Sequence, residues 1–166
     1  TIGGAFGCPF EGEVDPGRVL AMAERLAQAG AIEIALADTI GVAVPHEVFE
    51  LVSRVRSALG GLPIRVHLHN TRNTGYANAI AAIDAGAATL DASVGGIGGC
   101  PFAPAATGNI ATEDLLYLLD RSGIATGLDL DATIETARWL AGEMMREVPG
   151  LLSRAGRFPP SKQDQG

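Results

Sequence analysis

Arg65-Val66-His67-Leu68-His69-Asn70 is the stretch on which the fold turns. Two imidazoles at i and i+2 share a direction only in extended chain, where successive side chains alternate faces. The flanks are those of a strand: Gly61 and Pro63 punctuate before it, and Ile64, Val66 and Leu68 are β-formers. The apolar three then fill one face, and His67 and His69 emerge together on the other, near the strand's end. Two ring nitrogens on one face suit chelation of a metal ion. The same spacing also serves two hydrogen-bonded histidines lining a core, and the strand alone leaves both readings open.

Around it, helical and strand patterns alternate. Residues 16–29 read as a helix with Asp15 as N-cap, Pro16 at the first helical position and Gly30 as terminator. Ile32 to Ala37 is a nearly all-apolar strand, as expected where both faces are buried. A helix over 45–59 carries Val48, Leu51, Val52, Val55 and Leu59 on one face. The histidine strand, an Ala-rich helix over 74–85 and a strand over 89–94 follow. Two more helices are expected over 112–122, capped by Thr112, and over 131–147, capped by Asp129 or Asp131. Such spacing is that of βαβ units and a parallel sheet. Periodicity alone fits a doubly wound sheet and a barrel equally.

Asp91-Ala92-Ser93-Val94-Gly95-Gly96-Ile97-Gly98-Gly99-Cys100-Pro101 reads as a glycine-rich loop able to rearrange around a ligand. Cys100, at its end before a proline, is placed to present a thiol to a substrate. Pro101 stands where a dinucleotide fingerprint needs its third glycine, so the loop is not one. The net charge of −7 offers no basic stripe for nucleic acid. No apolar run approaches a membrane span, and residues 1–10 lack the regions of a signal peptide. Cys8 and Cys100 read as thiols in a reducing cytoplasm. The single lysine, Lys162, lies in the polar C-terminal stretch, so this segment has no core lysine for Schiff-base chemistry, and a metal-assisted route is the better reading.

Five runs carry a family resemblance: Phe6-Gly7-Cys8-Pro9-Phe10-Glu11-Gly12, Glu33 to Val42 with its Asp38-Thr39-Ile40-Gly41, the histidine strand, Gly98-Gly99-Cys100-Pro101-Phe102, and Gly108-Asn109-Ile110-Ala111-Thr112-Glu113-Asp114-Leu115. Together and in order, they resemble the 3-hydroxy-3-methylglutaryl-CoA lyase family, of the metal-dependent lyase and synthase superfamily. The resemblance implies an α/β fold: the C-terminal part of a TIM (β/α)8 barrel, with parallel strands and extra C-terminal helices. A complete barrel takes about 250 residues. The 166 residues here, opening on Thr1 rather than Met, are therefore expected to be a fragment or truncated product. Residues 1–150 are expected to form the partial barrel and 151–166 a tail.

In the same terms, His67, His69 and Asn109 are implied ligands of a divalent cation, Mg²⁺ or Mn²⁺, with Glu113 supporting Asn109 from behind. Cys100 resembles the family's loop cysteine and is the implied proton donor; Asp38 resembles a strand-end Asp with a base or orienting role. On sequence alone Asn109 also fits a helix-entry turn, Asp38 a turn cap, and Glu113 a favourable charge at a helix N-terminus. The implied reaction is retro-Claisen cleavage of an acyl-CoA such as 3-hydroxy-3-methylglutaryl-CoA, in the cytoplasm, by a protein that is a homo-oligomer at full length. Asn70 departs from the family, where Asp commonly follows the second histidine, and leaves the acyl group open. The alternatives are a Claisen-type synthase of the same superfamily, which usually lacks the Gly-Gly-Cys-Pro run, and a non-catalytic half-barrel.

Overall fold

A computed structural model describes residues 1–100 and 103–159, with backbone alone at Cys100 and over 103–107. The described residues divide into two compact units, one built from Thr1–Asp91 with Gly99–Thr107, the other from Ala92–Gly98 with residues 108–159.

The first unit is built on three parallel strands, β1 (Ile34–Asp38), β2 (Ile64–Leu68) and β3 (Thr89–Asp91), in that spatial order. Helices α1 (Pro16–Gln28), α2 (Pro45–Ala58) and α3 (Gly75–Asp84) alternate with them. Ile2 extends the ladder on the far side of β1, its N–H donating to Ala35 at 2.8 Å and its carbonyl accepting from Ala37 at 3.0 Å. β1 is buried throughout, whereas β2 alternates: Ile64, Val66 and Leu68 are buried, Arg65 and His67 partly open. Against these strands α2 buries Val48, Leu51, Val52 and Val55, and α1 buries Val19 and Ala23. Asp15 caps α1 as expected, accepting from the Gly17 N–H at 2.9 Å. A short antiparallel pair, β4 (Gly99–Cys100) and β5 (Ala103–Thr107), completes the unit.

The strand expected over 89–94 stops at Asp91. A 3₁₀ turn occupies Val94–Gly96, and Gly95 lies there in the left-handed region at φ 71°, which a continuing strand cannot include. This turn lies in the second unit. Ser93 pairs in parallel with Ala111, its N–H donating to Ile110 at 3.1 Å and its carbonyl accepting from Thr112 at 2.9 Å.

Three helices follow: α4 (Thr112–Arg121), α5 (Leu130–Glu143) and α6 (Leu152–Ala155). Thr112 is not the cap of α4 but its first helical residue; Ala111 precedes it with no side-chain bond. Asp129 caps α5, accepting from the Ala132 N–H at 3.0 Å. That helix ends before the expected position 147 because Met145 turns left-handed at φ 50°. The Met145 and Arg146 N–H groups then return to the Gly142 and Ala141 carbonyls at 3.1 and 3.2 Å, the pairing that closes a helix.

The chain beyond 150 does not begin as a tail. Leu152 is buried with Leu116, Leu130 and Ile134, and the Asp114 carboxylate accepts from the Leu151 and Leu152 N–H groups at 2.9 and 2.8 Å. A leucine so enclosed should cost about 2–5 kcal/mol when cut to alanine. Leu152→Ala should therefore lower the urea-unfolding free energy by that order, whereas an unpacked segment would show no change.

Candidate metal centre

His67 comes from β2 and His69 from the residue just beyond its end. Their rings lie 5.2 Å apart between centroids and 74° out of plane, on the face opposite Val66 and Leu68, as strand alternation expects. His67 is part-buried, and its Nδ1 bonds the Asp91 carboxylate. Register explains the pairing, because β2 and β3 place His67 and Asp91 directly side by side.

His69 is 4% exposed, and its Nδ1 is buried without a partner. Burial, and secondarily the neighbouring His67, push its pKa below the ordinary imidazole value. His69 is thus neutral near pH 7, with a ring lone pair available to a cation. Asp91 is held below the usual carboxylate range. Burial alone would raise it, but the bond from His67 and the charges of His67 and Arg65 outweigh that.

Asp38 lies at the end of β1 but does not share the histidines' face. It stands in register with Leu68, while Ala37 stands beside His67. Its carboxylate is fully buried and accepts from the Val42 N–H at 2.9 Å and the Ala43 N–H at 3.1 Å. Burial pushes its pKa up, and those N–H groups, with Arg72, only partly offset the effect. This is the geometry of a turn anchor. Arg72, reaching the Ile40 and Gly41 carbonyls at 2.8 and 3.2 Å, and Asn78, donating to Ala43 at 2.8 Å, hold the same turn. Asn70 has a comparable task, its Oδ1 accepting from the Gly75 N–H at the start of α3.

In the second unit, Asn109 donates through Nδ2 to the Ile97 carbonyl at 3.0 Å, while its Oδ1 is buried and unpartnered. The glycine-rich turn is shaped to that amide. A Cβ at Gly98, whose φ is +104°, would meet Asn109 Nδ2 at 2.8 Å. Glu113 is fully buried, accepting from the Gly95 N–H at 2.9 Å through one oxygen. Its other oxygen has no partner and lies where a Cβ on Gly150 would sit, 2.1 Å away. Close packing, more than mobility, accounts for glycine at these positions. The Cys100 side chain, singled out in the sequence, lies outside the described residues.

The fit to a hard divalent cation can be judged atom by atom. Among the described residues no three His, Cys, Asp or Glu side chains gather as a metal cluster. Each unit carries one atom orphaned in the way a ligand atom is before it binds: His69 Nδ1, beside the His67 ring, in the first, and Asn109 Oδ1 in the second. Sequence reasoning missed Asp91 as the partner of His67, since only the strand register reveals it.

Parallel strands joined by helices, with an imidazole pair at a strand's end, define an α/β chain of the barrel type. It belongs to the HMGL-like family, whose model matches residues 1–140. It is 52% identical over 160 residues to the (R)-citramalyl-CoA lyase of Chloroflexus aurantiacus, covering 96% of this chain and 50% of that protein. To the hydroxymethylglutaryl-CoA lyase of Bacillus subtilis it is 38% identical, covering 87% and 48%. An HMG-CoA lyase from Acinetobacter baumannii, solved with coenzyme A and 3-methylmalate, superposes with a TM-score of 0.91 at 43% identity, over 95% of this chain and 52% of that one. The chain thus spans about half the length of these relatives, and its fold is that of the C-terminal part of a (β/α)8 barrel. Among the described residues no helix is long and apolar enough to cross a membrane.

Buried Glu113 makes stability depend on pH. Burial pushes its pKa up, and the Gly95 N–H offsets this only in part. The folded chain therefore keeps a proton that the unfolded chain releases. Stability is greatest below the unfolded value of about 4.3 and falls as pH rises through the window up to the folded value. Glu113→Gln should reduce that decline in urea titrations run across the window. Asp38, shifted the same way, leaves a residual slope. An unaltered slope would clear Glu113 as a source.

Proposed function

We propose that this chain carries part of the active site of a carbon–carbon lyase that cleaves a tertiary 3-hydroxyacyl-CoA, with His67 and His69 as donors to a divalent cation, Mg²⁺ or Mn²⁺. The observation that carries this reading is the imidazole pair on one face of β2, with His69 neutral and its Nδ1 unpartnered, in a chain of the HMGL-like family. The resemblance adds Asn109 as a further oxygen donor and Glu113 as its support. Bound there, the cation would act as a Lewis acid toward the thioester carbonyl and the tertiary hydroxyl.

The reaction is a balanced retro-Claisen step. A general base takes the hydroxyl proton, the C2–C3 bond electrons pass to C2 as a thioester enolate, and C3 becomes a ketone. A proton returned to C2 completes acetyl-CoA. Cys100 is assigned that delivery: a thiol of ordinary pKa near 8.5 is mostly protonated at pH 7 and can give its proton to a carbanion. Asp38, whose two oxygens hold the turn after β1, is left out of the chemistry.

The acyl group is narrowed by the relatives. The 52% identity to a citramalyl-CoA lyase favours an acyl group with its carboxylate directly on the carbinol carbon, which cleavage turns into a 2-oxoacid, pyruvate. The 36–40% identity to hydroxymethylglutaryl-CoA lyases supports a second substrate one methylene longer, which would give acetoacetate. Both substrates yield acetyl-CoA, so the oxoacid distinguishes them.

In the protein that contains this chain, acetyl-CoA release should require added Mg²⁺ or Mn²⁺ and should run faster on citramalyl-CoA than on the hydroxymethylglutaryl thioester. Cys100→Ser should slow it by about 10²–10⁴-fold, the usual weight of general acid catalysis, with Mn²⁺ affinity unchanged. His69→Ala should weaken Mn²⁺ binding and turnover together. Full turnover in the Cys100→Ser protein would move the proton donor elsewhere. Metal-independent turnover would remove the cation from the reading.

A further inference from the structure

We infer that Asp91 is the positioning residue of the imidazole pair. It fixes the His67 ring with its proton on Nδ1, so that Nε2 carries the lone pair offered to a cation. The inference rests on the metal reading above for the identity of what His67 binds, and on geometry for the rest. His67 and Asp91 are register partners on adjacent parallel strands, with side chains on the same face. The contact is between Nδ1 and a carboxylate oxygen, and an ionised carboxylate only accepts. In the neutral ring the proton therefore sits on Nδ1, and the opposite nitrogen is the acceptor.

Asp91 is itself held from behind. Arg65, two residues before His67 on the same face of β2, places Nη1 3.7 Å from the second Asp91 oxygen. Arg65 in turn is gripped by Glu33, with Nε at 2.9 Å and Nη2 at 3.4 Å from its two oxygens. Thr89, the register partner of Arg65, adds a hydroxyl bond to Glu33 at 3.3 Å. The polar row thus runs Thr89–Glu33–Arg65–Asp91–His67, from the residue before β1 across β2 and β3 to the end of β3. Each carboxylate in it has donors on both sides: Glu33 lies between the Thr89 hydroxyl and the Arg65 guanidinium, and Asp91 between Arg65 and the His67 ring N–H.

This row gives the two histidines unequal parts. His67 is oriented by an anion on one nitrogen, which raises the basicity of the other and removes ring-flip freedom. His69 has no such partner on Nδ1 and is held by burial and by the edge contact with the His67 ring.

The test uses the chain with ¹⁵N-labelled histidine, read in two ways. Long-range ¹⁵N–¹H correlation without metal reports the tautomer of each ring, and EPR of free Mn²⁺ reports affinity. The wild-type chain should show His67 as the Nδ1–H form. In Asp91→Ala, His67 should move toward the Nε2–H form that free imidazole side chains prefer, His69 should be unchanged, and Mn²⁺ should bind about 10–100-fold more weakly. Asp91→Asn is nearly isosteric and keeps an oxygen acceptor, so it guards against a folding artefact. It should retain the Nδ1–H form and recover most of the affinity. Were His67 still Nδ1–H in Asp91→Ala, with Mn²⁺ affinity within twofold, the positioning role would be overturned. A tautomer that shifts in Asp91→Ala, in a protein whose wild-type form binds no Mn²⁺, would keep Asp91 as the ring's orienter and overturn the metal reading instead.

Discussion

The side-chain parity of β2 in its parallel register governs most of what this chain displays. Ile64, Val66 and Leu68 are buried to within 2% of complete, which locks one face of the strand to the helices. Arg65 and His67 are then committed to the other face, with His69 following in the same phase. A slip of one residue would turn Arg65 and His67 onto the face packed by helices and move three large apolar side chains off it, so the register is strongly specified. The neighbours follow from it. β1 sets the small residues Ala35 and Ala37 beside Arg65 and His67, and β3 sets Thr89 and Asp91 on their other flank. Small residues on one side leave room for long polar ones, and polar residues on the other give them partners.

The local elements were legible because their signals are local. Asp15, Pro16 and Gly30 bracket α1, the all-apolar run over 34–37 marks β1, and i, i+2 spacing was enough to put both imidazoles on one face. What stayed hidden depends on partners far along the chain. Nothing in Thr89-Leu90-Asp91 says that Asp91 will face His67, since register is a property of two strands and not of either sequence. Asp38 was visible as a strand-end carboxylate, but its pairing opposite Leu68 sets it on the other side of the sheet from the imidazoles. The glycine-rich run was read as freedom to move. Gly98 and Gly150 instead mark places where a methyl group would strike Asn109 and Glu113, a packing demand that composition cannot distinguish from flexibility.

Buried carboxylates recur here with different solutions. Asp38 and Glu113 accept hydrogen bonds from backbone N–H groups, and both lie above their ordinary pKa, because such partial dipoles do not fully replace lost hydration. Asp91, facing a guanidinium and an imidazole, lies below it. The first kind shapes turns, where a modest charge cost is tolerable. The second adjoins the candidate metal centre, where a persistent negative charge has an electrostatic use.

Helix α6 shows how far structure can depend on a distant side chain. Four residues are too few for a helix to persist in water, since nucleation is unfavourable and little propagation follows. Two N–H groups at its start are nonetheless satisfied, by the carboxylate of Asp114, which belongs to α4 thirty-seven positions earlier. The helix is therefore conditional on its docking and has no existence apart from it. Amide exchange at Leu151 and Leu152 would measure how often the C-terminal segment lifts from α4 and α5, a local opening equilibrium that the intrinsic helicity of Leu152–Ala155 does not enter.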